Sequence, residues 1–263
     1  MKIPIANIYY LLAYAWDRLP EKNIASVDTE NCTNSLDLLA KVLVQGCGYL
    51  TRRGVYKDYI SVHEDTNRPR GRWDLHDTVK RGLLSRQLLS CEYSEMSDDI
   101  LHNQILKATF KKLLTTINLD SSIHKDIHAY YLKMRHISDI DLTSKHFLEV
   151  KLHRNNLFYG FLLSICRLIL HNLLPSGSNG KYKFREFIYE DEQMASIFER
   201  FVRNFYRRHL PKTLVKSEHL KWNDVIQETG NGKLSNLPEQ HTDTTIIFDN
   251  AKTIIETKYY SKI

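Results

Sequence analysis

Apolar residues along the chain recur with two different periods. Ile5, Ile8, Leu12, Ala15 and Trp16 follow helical spacing and predict a helix over about 5–17, and Leu36, Leu39, Leu43 and Val44 mark a second. The period then changes. Val55 to Val62 is rich in aromatic and β-branched residues, Glu64 to Pro69 is turn chemistry, and Gly71-Arg72-Trp73-Asp74-Leu75 reads as a returning strand. Together they predict a long β-hairpin over 52–75 with a basic tip. Helical spacing resumes at Ile100, Ile105, Leu106, Phe110, Leu113 and Leu114, again over Ile123 to Met134, and in its most apolar form over Phe158 to Leu174. Pro175 to Gly180 supplies the clearest linker signal, predicting a domain over 1–178 and another over 179–263. Beyond it, Met194, Ile197, Phe198, Phe201, Val202 and Phe205 share one face of a helix, 193–209, expected to pack on a sheet. Gln227 to His241 reads as a polar loop. Thr244 to Phe248 and Thr253 to Tyr259 read as a closing hairpin. The fold class expected is mixed α/β (α+β).

Composition narrows the function. With 42% hydrophobic and 26% charged residues, the 263-residue chain has the balance of a globular protein able to bury its own core. Lys and Arg outnumber Asp and Glu by 37 to 31, and basic residues cluster at Arg52-Arg53, at Arg68, Arg70 and Arg72, and at Arg200, Arg203, Arg207 and Arg208. A polyanionic partner fits that excess, as do solvated helix faces. Cys32, Cys47, Cys91 and Cys166 lie far apart without a C-x-x-C, which predicts reduced thiols in a cytoplasm and neither disulfides nor zinc. The apolar N-terminal stretch is interrupted by Pro4, Asn7, Tyr9, Tyr10 and Tyr14, so a core helix fits better than a leader. Phe161 to Leu174 is too short and too polar to span a bilayer.

The chemistry concentrates in His241 to Tyr260. Phosphodiester hydrolysis needs a hard cation, carboxylates to hold it and a positive charge nearby, and Asp243, Glu256 and Lys258 supply those parts. Residues two apart on a strand point the same way, placing Glu256 and Lys258 on one face. A turn centred on Asn250-Ala251 sets Asp243 opposite Lys258, with Glu256 the adjacent same-face position. A charged surface hairpin is the plain alternative. Glu199 on helix 193–209 is a further acid, either part of the site or an exposed i, i+4 pair with Arg203. Other chemistries fare worse. His124 and His128 lack a third ligand, and Gly177 to Lys181 and Gly230 to Lys233 lack phosphate-loop spacing, so the chain is not expected to bind a nucleoside triphosphate itself.

The opening Ile3-Pro4-Ile5-Ala6-Asn7-Ile8-Tyr9-Tyr10-Leu11-Leu12-Ala13-Tyr14-Ala15-Trp16-Asp17 resembles the signature of the McrC family, nuclease subunits of modified-cytosine restriction systems. Arg53-Gly54, Asp58-Tyr59, Gly71-Arg72, Asn103, Met194, Phe198-Glu199-Arg200-Phe201-Val202 and Asp243 with Glu256-Thr257-Lys258-Tyr259-Tyr260 extend the likeness over essentially the whole chain. The resemblance implies a C-terminal PD-(D/E)XK nuclease fold. Asp243 and Glu256 would hold Mg2+, Lys258 would complete the catalytic set, and Glu199 would take the helix-acid position. It also implies a partner, an McrB-like AAA+ GTPase hexamer that binds the GTP, with double-stranded DNA as substrate and no membrane. The basic hairpin, with Arg53, Arg68, Arg70 and Arg72, is the expected insert into that ring. Family members continue past the catalytic lysine through further strands and a Gln-x-x-x-Tyr helix, whereas this chain ends at Ile263, which predicts a nuclease domain truncated at its C-terminus. Two rivals follow: a ring-stimulating adaptor with an inactive nuclease half, and a plain nucleic-acid-binding module.

Overall fold

Helical periodicity in the sequence becomes a helical body in the computed structural model, which describes residues 4–17, 32, 34–177, 180–220, 240–249 and 251–260. Helix α1 spans Ile5–Ala15 and α2 spans Ser35–Arg53. Strands β1 (Asp58–Thr66) and β2 (Arg72–Trp73), helix α3 (Leu75–Lys80) and strand β3 (Leu89–Ser97) follow. The body resumes with α4 (Leu101–Leu114), α5 (Ser121–Lys133) and α6 (Leu157–Asn172). The C-terminal third comprises β4 (Leu173–Pro175), β5 (Tyr182–Phe184), α7 (Asp191–His209), β6 (Leu214–Lys216), β7 (His219–Leu220), β8 (Gln240–His241), β9 (Thr244–Phe248) and β10 (Ala251–Ile255).

Helix α2 is the centre of the core. Asn34 caps it by accepting from the Asp37 N–H at 2.8 Å, and it stops at Gly54, whose φ of 90° suits a residue without a Cβ. Leu38, Leu39, Leu43 and Cys47 are buried where α2 packs on α5 and α6, in one cluster with Phe110, Ile127, Phe161, Leu162 and Ile169. Gly46 brings α2 close to α6, because a Cβ there would lie 2.3 Å from a Leu162 methyl. Asp37 also accepts from the Asp120 N–H at 3.0 Å, and Asp120 caps α5 through the N–H groups of Ser122 and Ile123. All four cysteines are free and buried, and burial pushes the Cys166 thiol up to about 12.

The expected hairpin over 52–75 is not one. Arg52 and Arg53 finish α2, and β1 and β2 pair not with each other but with opposite edges of β3, in the order β1-β3-β2. Asp58 pairs with Ser97 at one end of the β1–β3 ladder and Thr66 with Leu89 at the other, while Arg72 and Trp73 pair with Glu92 and Cys91. The turn-like segment 67–71 therefore crosses β3 instead of closing a hairpin. The crossing is tight: Gly71 has a φ of 67°, and a Cβ on it would lie 2.4 Å from the Glu92 carbonyl. Arg70 lies 3.9 Å over the Tyr93 ring, bonds its hydroxyl and donates to Glu64 at 2.7 Å. Helix α3 and the Leu83–Arg86 turn cover this sheet, and Thr78, Leu83 and Cys91 form its small buried centre. The result is an arm with a centre of its own, and Trp73, Leu75, Val79 and Leu84 exposed on it.

One buried amide joins arm to body. Asn103, on the first turn of α4, donates to the carbonyls of Tyr56 at 3.1 Å and Asp98 at 2.7 Å, the residues just outside the paired ends of β1 and β3. Its oxygen accepts from the Tyr159 hydroxyl at 2.7 Å, and that hydroxyl accepts from the Tyr56 N–H at 3.0 Å. Burial pushes the Tyr159 pKa up, which keeps it protonated as a donor. Farther on, the chain on either side of the segment read as a linker is paired: β4 pairs with β5, and the Ser176 N–H donates to the Lys181 carbonyl at 2.8 Å. Ser178 and Asn179 lie outside the described residues.

Asn103→Ala leaves two carbonyls without this donor and the buried Tyr159 hydroxyl without its acceptor, a cost of at least about 3 kcal/mol at roughly 1 to 3 kcal/mol for each such group. The expected result is a lowered urea midpoint together with faster amide hydrogen exchange over 58–66 and 89–97. Unchanged exchange in those strands would show that the arm is held by something else.

Candidate functional site

Helix α7 positions the candidate site by using two faces for two neighbours. Phe201 and Phe205 stack on Tyr14 of α1 at ring separations of 5.6 and 5.7 Å, and Asn204 donates to the terminal α1 carbonyls of Tyr14 and Ala15 at 3.0 and 3.1 Å. The aromatic face, expected on the sheet, is thus on α1. The sheet receives the polar flank instead: Arg207 reaches the Val215 carbonyl at 3.4 Å and Arg203 the Asp243 carbonyl. Four residues that meet α1 or the sheet, 201, 203, 205 and 207, differ by steps of two, so they alternate around the helix between the two neighbours.

The sheet has the order β10-β9-β6. Leu214 pairs with Ile247 and Lys216 with Thr245, while Ile255 pairs with Thr244 and Ala251 with Phe248. Ala251, expected in the turn, is therefore the first paired residue of β10, and Asp249 has a φ of 49°, which Asp tolerates better than most residues. Continuing the ladder sets Asp243 opposite Glu256, so the Asp243–Lys258 opposition is replaced by the neighbouring register. Just ahead of β9, Thr242 is locked to 217–218: its N–H donates to the Glu218 carbonyl at 2.9 Å and its hydroxyl accepts from the Glu218 N–H at 2.9 Å. Glu218 itself is held below the usual carboxylate range by the ammonium of Lys252 and then that of Lys216.

Asp243 is fixed from both ends. Arg203 donates to its main-chain carbonyl through Nε at 2.9 Å and Nη2 at 2.7 Å, while Nη2 also pairs with the Glu199 carboxylate. Its side-chain Oδ2 accepts from the Thr257 N–H at 2.6 Å and the Thr257 hydroxyl at 2.8 Å. Exposure alternates over 255–260: Glu256, Lys258 and Tyr260 are exposed, and Ile255, Thr257 and Tyr259 are half-buried. The structure thus brings Glu199 and Asp243 together through Arg203, and Asp243 to the segment carrying Glu256 and Lys258. It holds the Asp243 carboxylate on Thr257, between those two positions. Among the described residues no three His, Cys, Asp or Glu side chains gather into a group able to hold a metal. Sequence reasoning missed the roles of Arg203 and Thr257. The i, i+4 spacing of Glu199 and Arg203 carried the first, and Thr257 lies between the two proposed catalytic residues.

Of the arginines singled out on the arm and its root, Arg53 is bonded to the Tyr49 hydroxyl, Arg70 is tied to Glu64 and Tyr93, Arg72 lies beside Glu92, and Arg68 is exposed after β1.

Comparison with known proteins adds relatives to this geometry. The family described as McrBC 5-methylcytosine restriction system component matches residues 6–262. The type IV methyl-directed restriction enzyme EcoKMcrBC of Escherichia coli strain K12 is 31% identical over 261 residues, covering 99% of this chain and 74% of that protein. Among solved structures, the refined half-complex from a tetradecameric assembly of Thermococcus gammatolerans McrB AAA+ hexamers with bound McrC matches with a TM-score of 0.64 and 18% identity, over 98% of this chain and 56% of the other. The cryo-EM structure of the Thermococcus gammatolerans McrBC complex matches with a TM-score of 0.58 and 20% identity, over 79% of this chain and 59% of the other. At these identities the two structures share the fold. The chain spans a little over half the length of the archaeal chains it matches.

Arg203→Met keeps the aliphatic stem while leaving Glu199 and the Asp243 carbonyl without their cation. Unfolding free energy should fall by about 2 kcal/mol, the scale of a charge-assisted bond lost from a half-buried site. Arg203→Lys should recover only part, because an ammonium cannot reproduce the forked contact. A urea midpoint for Arg203→Met equal to that of the unmodified chain would deny the contact any stabilising role.

Proposed function

The chain belongs to the family of McrBC 5-methylcytosine restriction system components, and from that premise we propose that it is the DNA-cutting subunit of a GTP-dependent restriction complex. The supporting observation is the corner where Arg203 links Glu199 to Asp243 and Thr257 links Asp243 to the segment of Glu256 and Lys258. On this reading 1–178 docks the partner, and 179–263 belongs to a PD-(D/E)XK nuclease domain.

The donor set fits Mg2+, which keeps several waters and takes one or two carboxylates, so Asp243 and Glu256 suffice without a third acid. Asp243 and Glu256 would hold the cation, which would supply polarisation of the phosphate and acidification of water. Lys258 offsets charge developing on the phosphate, and its exposure leaves it open to a large substrate. Thr257 orients the Asp243 carboxylate, and Glu199 is an auxiliary acid held by Arg203.

The structurally similar assembly contains McrB AAA+ hexamers with bound McrC, and we assign to this chain the same kind of partner, an McrB-like GTPase ring that binds the GTP. The arm is the docking element. Its exposed Trp73, Leu75, Val79 and Leu84 give it an apolar contact surface, with Arg53, Arg68 and Arg72 as flanking charge. Arg70 serves inside the arm instead. No described helix is long and apolar enough to cross a membrane, and the assigned site of action is the cytoplasm. A second reading, an adaptor that stimulates the ring without cutting, is favoured by the bonding of the Asp243 carboxylate to Thr257.

The test reconstitutes the chain with its GTPase partner on methylated DNA in Mg2+ and GTP. Lys258→Ala should lower cleavage at least about 100-fold, the scale of removing a group that stabilises transition-state charge, with stimulated GTP turnover kept. The paired change Leu75→Asp and Val79→Asp should abolish the stimulation. Cleavage by Lys258→Ala at the unmodified rate would overturn the site. Stimulated GTP turnover with no cleavage by the unmodified chain would establish the adaptor.

A further inference from the structure

An open groove of about 460 Å³ runs between the end of α1, α6 and the first turns of α7. Its lining includes Trp16, Arg167, His171, Gln193, Ser196 and Arg200, and its one acid is Glu192. Arg167 and Arg200 come from different helices, are exposed, and form no ion pair among the described residues. Neither has an acid at i±4 on its own helix: Arg167 has Leu163 and His171, and Arg200 has Ser196 and Asn204. The usual explanation of a helical arginine as half of a surface pair therefore fails for both.

His171 is prepared as a donor. The Gln193 amide nitrogen donates to its Nδ1, and the Gln193 oxygen accepts from Asn172 Nδ2 at 3.2 Å, which sets the amide's orientation. With Nδ1 accepting, the neutral ring carries its proton on Nε2. The groove thus combines two guanidinium forks and an imidazole N–H in one concave space. That set matches the two non-bridging oxygens of a phosphodiester and offers little to discriminate bases.

We infer that this groove binds the phosphodiester backbone of DNA, leading the strand to the candidate site; the inference rests on the reading of DNA as substrate. Glu199 and Arg200 are consecutive on α7, about 100° apart around its axis and about 1.5 Å along it. The groove and the Asp243 corner therefore occupy neighbouring faces of one helix, and a backbone held by Arg200 passes beside Glu199.

The experiment measures binding of a fluorescein-labelled DNA duplex to the full chain by anisotropy, without metal, across a chloride series. Arg167→Ala and Arg200→Ala should each weaken binding about fivefold and lower the salt slope by about 0.9, as loss of one phosphate contact requires, while Arg135→Ala on the far body should change neither. Arg200→Lys should keep the slope. Thermal midpoints should match the unmodified chain, since both arginines are exposed. Duplex binding by the double Ala variant with unmodified affinity and slope would overturn the groove and leave DNA as substrate. Inorganic phosphate displacing the duplex far better than chloride of equal ionic strength would make this a free-phosphate site and also overturn it. No duplex binding by the unmodified chain would overturn both the groove and the DNA reading.

Discussion

Asn103 is a short amide buried where three segments meet, and the placement of the arm depends on it. At its root the arm narrows to β1 and β3, where the ring of Tyr56 packs edge-on against Tyr159 and His102, and directed polar contacts add the orientation that ring packing alone leaves open. Asn103 supplies them by holding the carbonyls of Tyr56 and Asp98, one on each side of the ribbon, with its own oxygen held by Tyr159. Because the group is almost fully buried, a missing partner is not replaced by water, and the desolvated carbonyls carry the cost. The arm's small centre of Thr78, Leu83 and Cys91 gives it shape but not direction. Direction comes from the root.

The helices of the body were legible because a repeat of three or four is visible in any window and their burial is extensive. The arm was not, because its central strand β3 reads Leu-Ser-Cys-Glu-Tyr-Ser-Glu-Met-Ser, and only Ser90 and Cys91 in it are buried. A strand that buries so little shows no hydrophobic alternation. Without β3, the turn residues before Arg72 could only be read as closing a hairpin. Gly71 carried the missing information, since a glycine at that point provides both a positive φ and room for the Glu92 carbonyl, but local chemistry does not distinguish a turn from a crossing. At Pro175 to Gly180 the turn residues likewise mark a break between elements, and the pairing of β4 with β5 on either side is decided by contacts outside it.

At the candidate site the closing hairpin was legible, while its register, its end at Ile255 and the side-chain directions were not. Parity alone places Asp243, Glu256 and Lys258 on one face. The ladder, however, ends at the Thr244–Ile255 pair, and past its end alternation no longer dictates where a carboxylate points. Asp243 turns to the nearest donors, the N–H and hydroxyl of Thr257. The aromatic stripe of α7 was visible too, but a periodic face shows only that something apolar covers it. That cover is Tyr14 of α1, nearly two hundred residues away in the chain.

This exchange of neighbours explains why a charged pair sits at the α7–sheet contact. With its phenylalanines committed to α1, the helix meets β9 through Glu199 and Arg203, both less than half exposed. An apolar contact of similar volume would stabilise such an interface at least as well, because desolvation offsets most of the attraction within a partly buried pair. What an apolar contact lacks is direction. Arg203 points two N–H groups at one carbonyl, that of Asp243, and so fixes the main chain at the residue whose carboxylate the proposed function uses. Thr257 then fixes that carboxylate from the opposite strand. The Glu199–Arg203 spacing that resembles an ordinary surface pair on a helical wheel is, in the folded chain, one side of a two-sided hold on Asp243.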